Sequence, residues 1–345
     1  MPGTTLGVAI VGCGHMGTVH AKNVMRDERT QLVALIDPRV EAAEQLRGQI
    51  DVPVERIRVT ASVDEALADP AVDAVVIATH HDLHPVLVTA AARAGKHIFC
   101  EKPLGLTNEA CAQIADAVRA AGVQLVVGFQ ARHAALVRLA AERIPAPRIL
   151  FGQIIDPRWS DQSWAVDPLE GGGNVLSQGV HTFDLLCHFA GAEPEAVFAG
   201  GGTLTHDPAR TTVIDSIAAT IRFANGATAS LLIGDFGPSA WTGKSFYELF
   251  DATGNSATIY DYYEHVRFAK GEPLAVGKDD LPGPEREDYQ GYGGLMREFI
   301  GCAIANQPPV IAAGVADGVR ATALSLACFE SIRSGNVVRL HGKGA

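Results

Sequence analysis

The feature that most limits how this chain can fold is a series of short, almost wholly apolar runs in its first third, set apart by helix-like stretches. Leu6 to Val11, Gln31 to Ile36, Ala74 to Ala78, His97 to Cys100 and Val123 to Val127 each read as a strand. Helix patterns lie between them at His15 to about Asp27, Val40 to Leu46, Pro85 to Ala94 and Asn108 to Ala121. Gly95 and Gly122 stand where helix-closing glycines belong. Ser62-Val63-Asp64-Glu65 has the form of a capping box and opens one more helix. A strand apolar on both faces is buried on both faces, and helices between such strands give a parallel sheet covered on each side.

The rhythm changes after Gly128. A helix is expected from His133 to Arg143, and Pro145 and Pro147 then break the chain. Longer, alternating strands follow at Ile149 to Ile155, Ser216 to Phe223, Ala227 to Ile233, Phe246 to Ala252 and Ser256 to Tyr260. Asn225-Gly226 is a hairpin-type turn between two of them. Half-apolar alternation suits an antiparallel or mixed sheet with one face in a core. Helices are expected at Ser177 to Ala190, Gly293 to Ala305 and Val315 to Ser334, and an exposed loop at Gly271 to Pro284.

Composition excludes several classes. At roughly 100–200 residues per domain, 345 residues suggest two domains. A net charge of −11 argues against nonspecific nucleic-acid or anionic-membrane binding. The longest apolar runs fall far below the ~18 residues of a membrane helix. Val8 to Val11 is too short, and lacks the basic flank, for a secretory signal. The six cysteines form no CxxC pair. They read as buried free thiols in a reducing, cytoplasmic setting.

Gly12-Cys13-Gly14-His15-Met16-Gly17 matches GxGxxG between an apolar strand and a helix. In that context Gly12 permits the tight turn, Gly14 lets backbone approach a pyrophosphate, and Gly17 lets helix and strand pack closely. Asp37 lies twenty residues after Gly17, at the end of the second strand, where a carboxylate accepts both hydroxyls of an adenosine ribose. That carboxylate repels a 2′-phosphate and favours NAD, while Arg39 keeps NADP possible. The architecture expected is α/β. It comprises an N-terminal Rossmann domain with a doubly wound parallel sheet (1–127) and a C-terminal α+β domain with a large open mixed or antiparallel sheet (128–345).

These motifs belong to a wider pattern. Ala78-Thr79-His80-His81-Asp82-Leu83-His84, Ala94-Gly95-Lys96-His97-Ile98-Phe99-Cys100-Glu101-Lys102-Pro103, Gly128-Phe129-Gln130-x-Arg132, Gly171-Gly172-Gly173, Gly179-x-His181-x-x-Asp184 and Ala252-Thr253-Gly254 extend the glycine motif over roughly the first 260 residues. Together they resemble the Gfo/Idh/MocA oxidoreductases, typified by glucose–fructose oxidoreductase and inositol dehydrogenase. The resemblance implies a nicotinamide-dependent dehydrogenase of sugars, nucleotide sugars or cyclitols, with the open sheet face joining a homodimer or homotetramer. It places Thr79, His81, His84 and Glu101 beside the cofactor. It makes Lys102 the hydrogen-bond donor to the reacting oxygen and His181 the acid/base. The chain departs from the family at His80 and His81, usual sites of Pro and Asn, and at Ser177, where the family often carries Asp.

The residues fit such chemistry. A cation near the oxygen that changes between hydroxyl and carbonyl stabilises developing alkoxide charge, and an imidazole near neutral pKa can take or return its proton. Ser177, His181, Asp184 and His188 share one face of a helix. Ser177 cannot supply the carboxylate that raises imidazole basicity, though it can hydrogen-bond substrate, and Asp184 reads as an orienting group. Trp159 and Trp164, with Arg158, precede the triple glycine; the tryptophans fit either pyranose stacking or local core anchoring. Gln130 and Arg132 are candidates to line the cleft. His80-His81-Asp82-x-His84 has chelating spacing, but a strand-to-helix crossing with Asp82 as N-cap gives no metal site. Two rivals remain: NAD-assisted glycoside cleavage through transient oxidation, and a non-catalytic dinucleotide sensor.

Overall fold

The computed structural model describes residues 5–50, 57–237, 239–269 and 274–340. The chain divides into two compact units, one of Met1–Gly105, Glu109–Phe129 and Tyr292–Val319, the other of Leu106–Asn108, Gln130–Gly291 and Arg320–Ala345.

The first unit is a parallel sheet of β1 (Leu6–Val11), β2 (Thr30–Ile36), β3 (Arg58–Thr60), β4 (Ala74–Ile77), β5 (His97–Cys100) and β6 (Leu125–Val127). Its order is β3-β2-β1-β4-β5-β6, with every neighbouring pair parallel. The connecting helices are α1 (His15–Met25), α2 (Val40–Gly48), α3 (Val63–Ala68), α4 (His84–Arg93) and α5 (Asn108–Ala121). Period-two alternation puts Val8 and Ile10, with Ala74, Val76, Phe99 and Val126 of the neighbouring strands, into one core layer. Gly95 (φ 71°) and Gly122 (φ 67°) follow α4 and α5 in the left-handed region, as their positions predict.

Some expectations are corrected. The Ser62 hydroxyl accepts the Glu65 N–H at 3.2 Å, but the Glu65 carboxylate takes the Thr60 hydroxyl at 2.8 Å, so the capping box is only half formed. Asp82 is not an N-cap: it lies inside a 3₁₀ turn (His81–Leu83) that runs directly into α4. The 127/128 division assigned everything after it to one domain, yet residues 292–319 return to the first unit. The cause is the apolar face of a late helix, whose Leu295, Met296, Phe299 and Ile300 join that unit's core. Val127 also forms a bridge with Ala313.

The second unit contains α6 (Ala135–Arg143), which follows a 3₁₀ turn (Gln130–His133), and carries the nine-stranded sheet. Its strands are β7 (Pro147–Ile155), β8 (Pro194–Gly202), β9 (Ser216–Phe223), β10 (Thr228–Gly234), β11 (Ser245–Asp251), β12 (Ser256–Tyr260), β13 (His265–Ala269), β14 (Leu274–Gly277) and β15 (Val338–Arg339). The order is β14-β13-β12-β11-β7-β10-β9-β8-β15, and only β7 and β10 pair in parallel. The stretch read as a loop from Gly271 onward instead supplies β14 and then α8 (Gly283–Glu287), while residues 271–273 lie outside the described residues. β14 was illegible because it is a four-residue strand with none of its residues fully buried.

α7 (Val180–Ala190) covers one face of this sheet. Gly152 on β7 makes that possible, because a Cβ there would come within 2.8 Å of Thr182 Cγ2. Thr182 and Tyr247 then share a buried hydroxyl hydrogen bond of 3.1 Å. Two long helices complete the chain, α9 (Tyr292–Ala305) and α10 (Val315–Ser334). No helix among the described residues is long and apolar enough to cross a membrane.

Truncating Phe299 tests the return of α9 to the first core. Phe299 is fully buried, edge-on to Phe99 at 5.7 Å. Phe299→Ala is expected to destabilise the protein by about 3–5 kcal/mol in urea unfolding. A loss below about 1 kcal/mol would mean that α9 only decorates the unit.

Candidate active site

In the first unit the candidate site residues gather at the carboxyl ends of the parallel strands. β1 ends at Val11, and Gly12 turns with φ 93°; a Cβ there would lie 2.3 Å from the Ala78 carbonyl oxygen. A Cβ on Gly17 would lie 1.9 Å from the Gly12 oxygen, so only glycine lets α1 pack this tightly on the turn. Gly14 differs, since a Cβ there would meet nothing within 4 Å. It N-caps α1 with no side-chain cap, and the first turn of α1 carries no acidic residue. The helix therefore presents uncapped N–H groups and the positive end of its dipole to open space, a cradle that fits a pyrophosphate. His15 and Met16 are the first two residues of α1.

Asp37 follows β2, 6% exposed. Its carboxylate accepts the Cys13 N–H and the Arg39 N–H, each at 2.9 Å. The acid is thereby pinned to the glycine turn, while the Arg39 side chain is 79% exposed and 3.8 Å from Asp37 at Nε. Burial, aided by the charge of Asp37, pushes the Cys13 thiol up to about 12. It is therefore an inert packing group at neutral pH.

Two strands along from β1, β5 ends at Cys100 and leads into Glu101-Lys102-Pro103. The Lys102–Pro103 peptide is cis. Glu101 is 6% exposed; its Oε1 lies 2.8 Å from His20 Nε2, and its Oε2 accepts the Lys102 N–H at 3.2 Å. Burial alone would raise the Glu101 pKa. The hydrogen bond and charge of His20, with the charge of Lys102, outweigh it and hold the carboxyl below its usual range. Gly128 leaves the space this carboxylate fills, since a Cβ there would sit 3.0 Å from it.

The crossing after β4 is corrected in one respect. Thr79 is half-buried, but His84 is fully buried, with Nδ1 2.8 Å from the Pro103 carbonyl and its ring 5.7 Å from that of His81. Burial lowers its pKa, so it is a neutral imidazole that braces the backbone, not a surface contact for a dinucleotide. His81 is 4% exposed. The sequence motifs assign His20 no role. Its signal is spacing: Gly17, His20, Ala21 and Val24 form the buried stripe of α1, and a histidine on such a stripe needs a partner.

In the second unit, Ser177 lies in a π-helical turn (Val175–Gly179) and His181 in the first turn of α7. The helix expected to run unbroken from Ser177 is thus α-helical only from Val180. A Cβ on Gly179 would meet Ile233 Cδ1 at 2.8 Å, which ties this turn closely to β10. Both Ser177 and His181 are 5% exposed. The triple glycine is required by its surroundings. Gly172 and Gly173 have φ of 75° and 82°, and a Cβ on Gly171 would be 2.3 Å from Ala165 Cα.

Three residues expected to contact substrate are engaged within the protein. Arg132 and Asp184 form a forked ion pair, Nε to Oδ2 at 2.9 Å and Nη2 to Oδ1 at 2.6 Å, with both residues at least 95% buried. The pair fastens the 3₁₀ turn Gln130–His133 to α7, below the position of His181 in sequence but on the same helix. Gln130 is likewise buried, 2% exposed. Arg158 donates to the Thr205 and Trp159 carbonyls at 2.8 and 3.3 Å and to Asp161 at 2.5 Å. Trp164 is half-buried in a 3₁₀ turn and lines a cleft of about 330 Å³ with Asp161, Asp167, Glu170, Asp207 and Arg210.

Comparison with known proteins matches residues 6–129 to the oxidoreductase family with an NAD-binding Rossmann fold and residues 137–254 to the Gfo/Idh/MocA C-terminal domain. The chain belongs to the Gfo/Idh/MocA oxidoreductase family. It is 29% identical to myo-inositol 2-dehydrogenase of Thermotoga maritima over 64% of this chain and 66% of that protein. That match spans just under two thirds of the relative. It is 27% identical to scyllo-inositol 2-dehydrogenase (NAD⁺) of Bacillus subtilis over 98% of this chain and 97% of that one. In fold it is similar to the aldose–aldose oxidoreductase of Caulobacter crescentus, with TM-score 0.82 and 24% identity over 97% of this chain and 100% of that one. The expected family and the α/β architecture with its large second sheet stand on these matches.

Breaking the Arg132–Asp184 fork leaves one buried charge uncompensated. Asp184→Asn and Arg132→Met are each expected to cost about 3–5 kcal/mol, and the double variant much less than their sum. Additive losses in thermal unfolding would show that the two groups do not act as a pair.

Proposed function

We propose that the chain is an NAD-dependent dehydrogenase of a secondary hydroxyl on a sugar, nucleotide sugar or cyclitol. The observation that carries this reading is the strand order of the first sheet. Asp37 follows β2 on one side of β1, the glycine turn follows β1 itself, and Lys102 follows β5 on the other side. At ~4.8 Å between strands, a dinucleotide laid along this edge has its adenosine ribose at Asp37, its pyrophosphate at Gly14 and its nicotinamide toward Lys102. The names of the relatives, inositol dehydrogenases among them, support the substrate class.

The bound nicotinamide supplies the hydride acceptor or donor. The remaining work falls to side chains. Lys102 donates a hydrogen bond to the reacting oxygen and offsets its developing negative charge. His181 takes the hydroxyl proton during oxidation and returns it during reduction. Ser177, one turn before it, can hydrogen-bond substrate but leaves His181 without a carboxylate neighbour at that position. The Trp164 cleft offers a half-buried indole with carboxylates around it, chemistry suited to a polyhydroxylated ring. The pinned Asp37 carboxylate favours NAD over NADP by accepting ribose hydroxyls where a 2′-phosphate would be repelled.

The open face of the second sheet is the proposed contact between copies of this chain. Ile149 (56% exposed), Phe198 (50%) and Phe250 (38%) lie on its strands, with Phe151 and Phe246 edge-to-face at 5.8 Å. The six cysteines are all buried, in keeping with a cytoplasmic setting.

A panel of sugars, nucleotide sugars and cyclitols, assayed by nicotinamide absorbance with NAD and NADP separately, tests the reading. Lys102→Ala is expected to lower kcat by about 10²–10³ with dinucleotide affinity changed less than about threefold. Undiminished turnover would remove Lys102 from the chemistry. Asp37→Ala is expected to shift the NADP-to-NAD preference at least about tenfold toward NADP. An unchanged preference would show that Asp37 does not select the cofactor.

A further inference from the structure

The segment that carries Lys102 is held from both sides by buried histidines. His20, from α1, lies 1% exposed with Nε2 at 2.8 Å from Glu101 Oε1. Glu101 Oε2 in turn accepts the Lys102 N–H at 3.2 Å. On the other side His84, from α4, has Nδ1 at 2.8 Å from the Pro103 carbonyl. A carbonyl oxygen and an ionised carboxylate have no proton to give, so each imidazole donates: His20 through Nε2–H, His84 through Nδ1–H.

This arrangement is not what stability alone would select. His20 Nδ1 is buried with no hydrogen-bond partner, and an unsatisfied buried nitrogen costs free energy that an apolar side chain of similar size would not. The cost purchases geometry. The two helices begin at the two crossings of the carboxyl edge, α1 at Gly14 and α4 after Thr79 and His80. Their histidines therefore tie the turns flanking the proposed dinucleotide position to residues 101–103. Phe99 closes the same space, its ring 4.6 Å from that of His20.

We propose that His20 and His84 are positioning residues for Lys102. They fix the backbone on either side of it so that its ammonium meets the reacting oxygen when dinucleotide is bound. This inference rests on the assignment of Lys102 given above.

The test compares His20→Ala and His84→Ala with His20→Gln and His84→Asn. The glutamine amide can donate from the place of Nε2–H, and the asparagine amide from the place of Nδ1–H. Each Ala variant is expected to lower kcat about 10–100-fold while KM and NADH affinity, followed by nicotinamide fluorescence, change less than about threefold. His20→Gln and His84→Asn are expected to recover most of the loss. A second readout does not need turnover: competitive acylation of Lys102, followed by peptide mass spectrometry with NADH bound. The Ala variants are expected to change the Lys102 rate at least about threefold, and the Gln and Asn variants to restore it. Folded Ala variants with wild-type kcat and wild-type Lys102 reactivity would overturn the inference. So would losses that Gln and Asn do not rescue and that follow lowered Tm and NADH affinity in parallel. Lys102→Ala in the same assay separates the two claims. If it is inactive while the histidine variants are unaffected, the clamp fails and the role of Lys102 stands. If it is fully active, the role of Lys102 fails, and the acylation rates alone decide the clamp.

Discussion

Between β1 and β4 the connections of the first sheet leave in opposite directions, and the placement of the candidate site residues of that unit follows from this reversal. Parallel strands need crossover helices, and the crossovers on either side of the reversal diverge to leave a crevice at the carboxyl edge. The crevice is usable only if the first turn is thin. A side chain at Gly12 would collide with the Ala78 carbonyl, and one at Gly17 would collide with Gly12, while one at Gly14 would meet nothing. Two glycines therefore build the turn and the third leaves its outer surface open. Asp37, held by the Cys13 N–H, and Glu101, held by His20, are buried carboxylates fixed on opposite sides of that turn.

The second unit solves a different problem. Its sheet is wide and mostly antiparallel, so one face can remain open while the other carries α7. What fixes α7 is a close approach at Gly152, a buried hydroxyl pair between Thr182 and Tyr247, and the Arg132–Asp184 fork. Packing sets the height of the helix above the sheet. The fork connects it to the 3₁₀ turn Gln130–His133, with a directionality that packing lacks. His181 stands at the start of this braced helix, just after the π-helical turn, a type of turn that recurs at functional sites.

The parallel half was legible because its strands are apolar on both faces and its turns need particular residues. Leu6–Val11, His97–Cys100 and Asn108–Ala121 begin and end where their patterns place them. β8 was harder: its three glycines and its exposed Glu195 and Phe198 obscure the strand period. The return of α9 was hidden because an amphipathic helix announces that it has an apolar face but not which core receives it. Site residues show the same division. Glycine positions can be read from local backbone needs. Whether Arg132, Asp184 and His84 face a ligand or one another depends on partners 52 residues away in one case and 19 in another. The pairing of His20 is not legible in sequence because its partner, Glu101, is 81 residues away.

The proposed reaction requires Lys102 and His181 to serve one carbinol oxygen. A crystal structure of the protein with NADH and the substrate selected by the activity panel decides this. The Lys102 ammonium and a His181 ring nitrogen are both expected within about 3 Å of the same substrate oxygen. A complex in which either group contacts a different part of the substrate, or lies beyond about 6 Å from that oxygen with no bridging water, would contradict it.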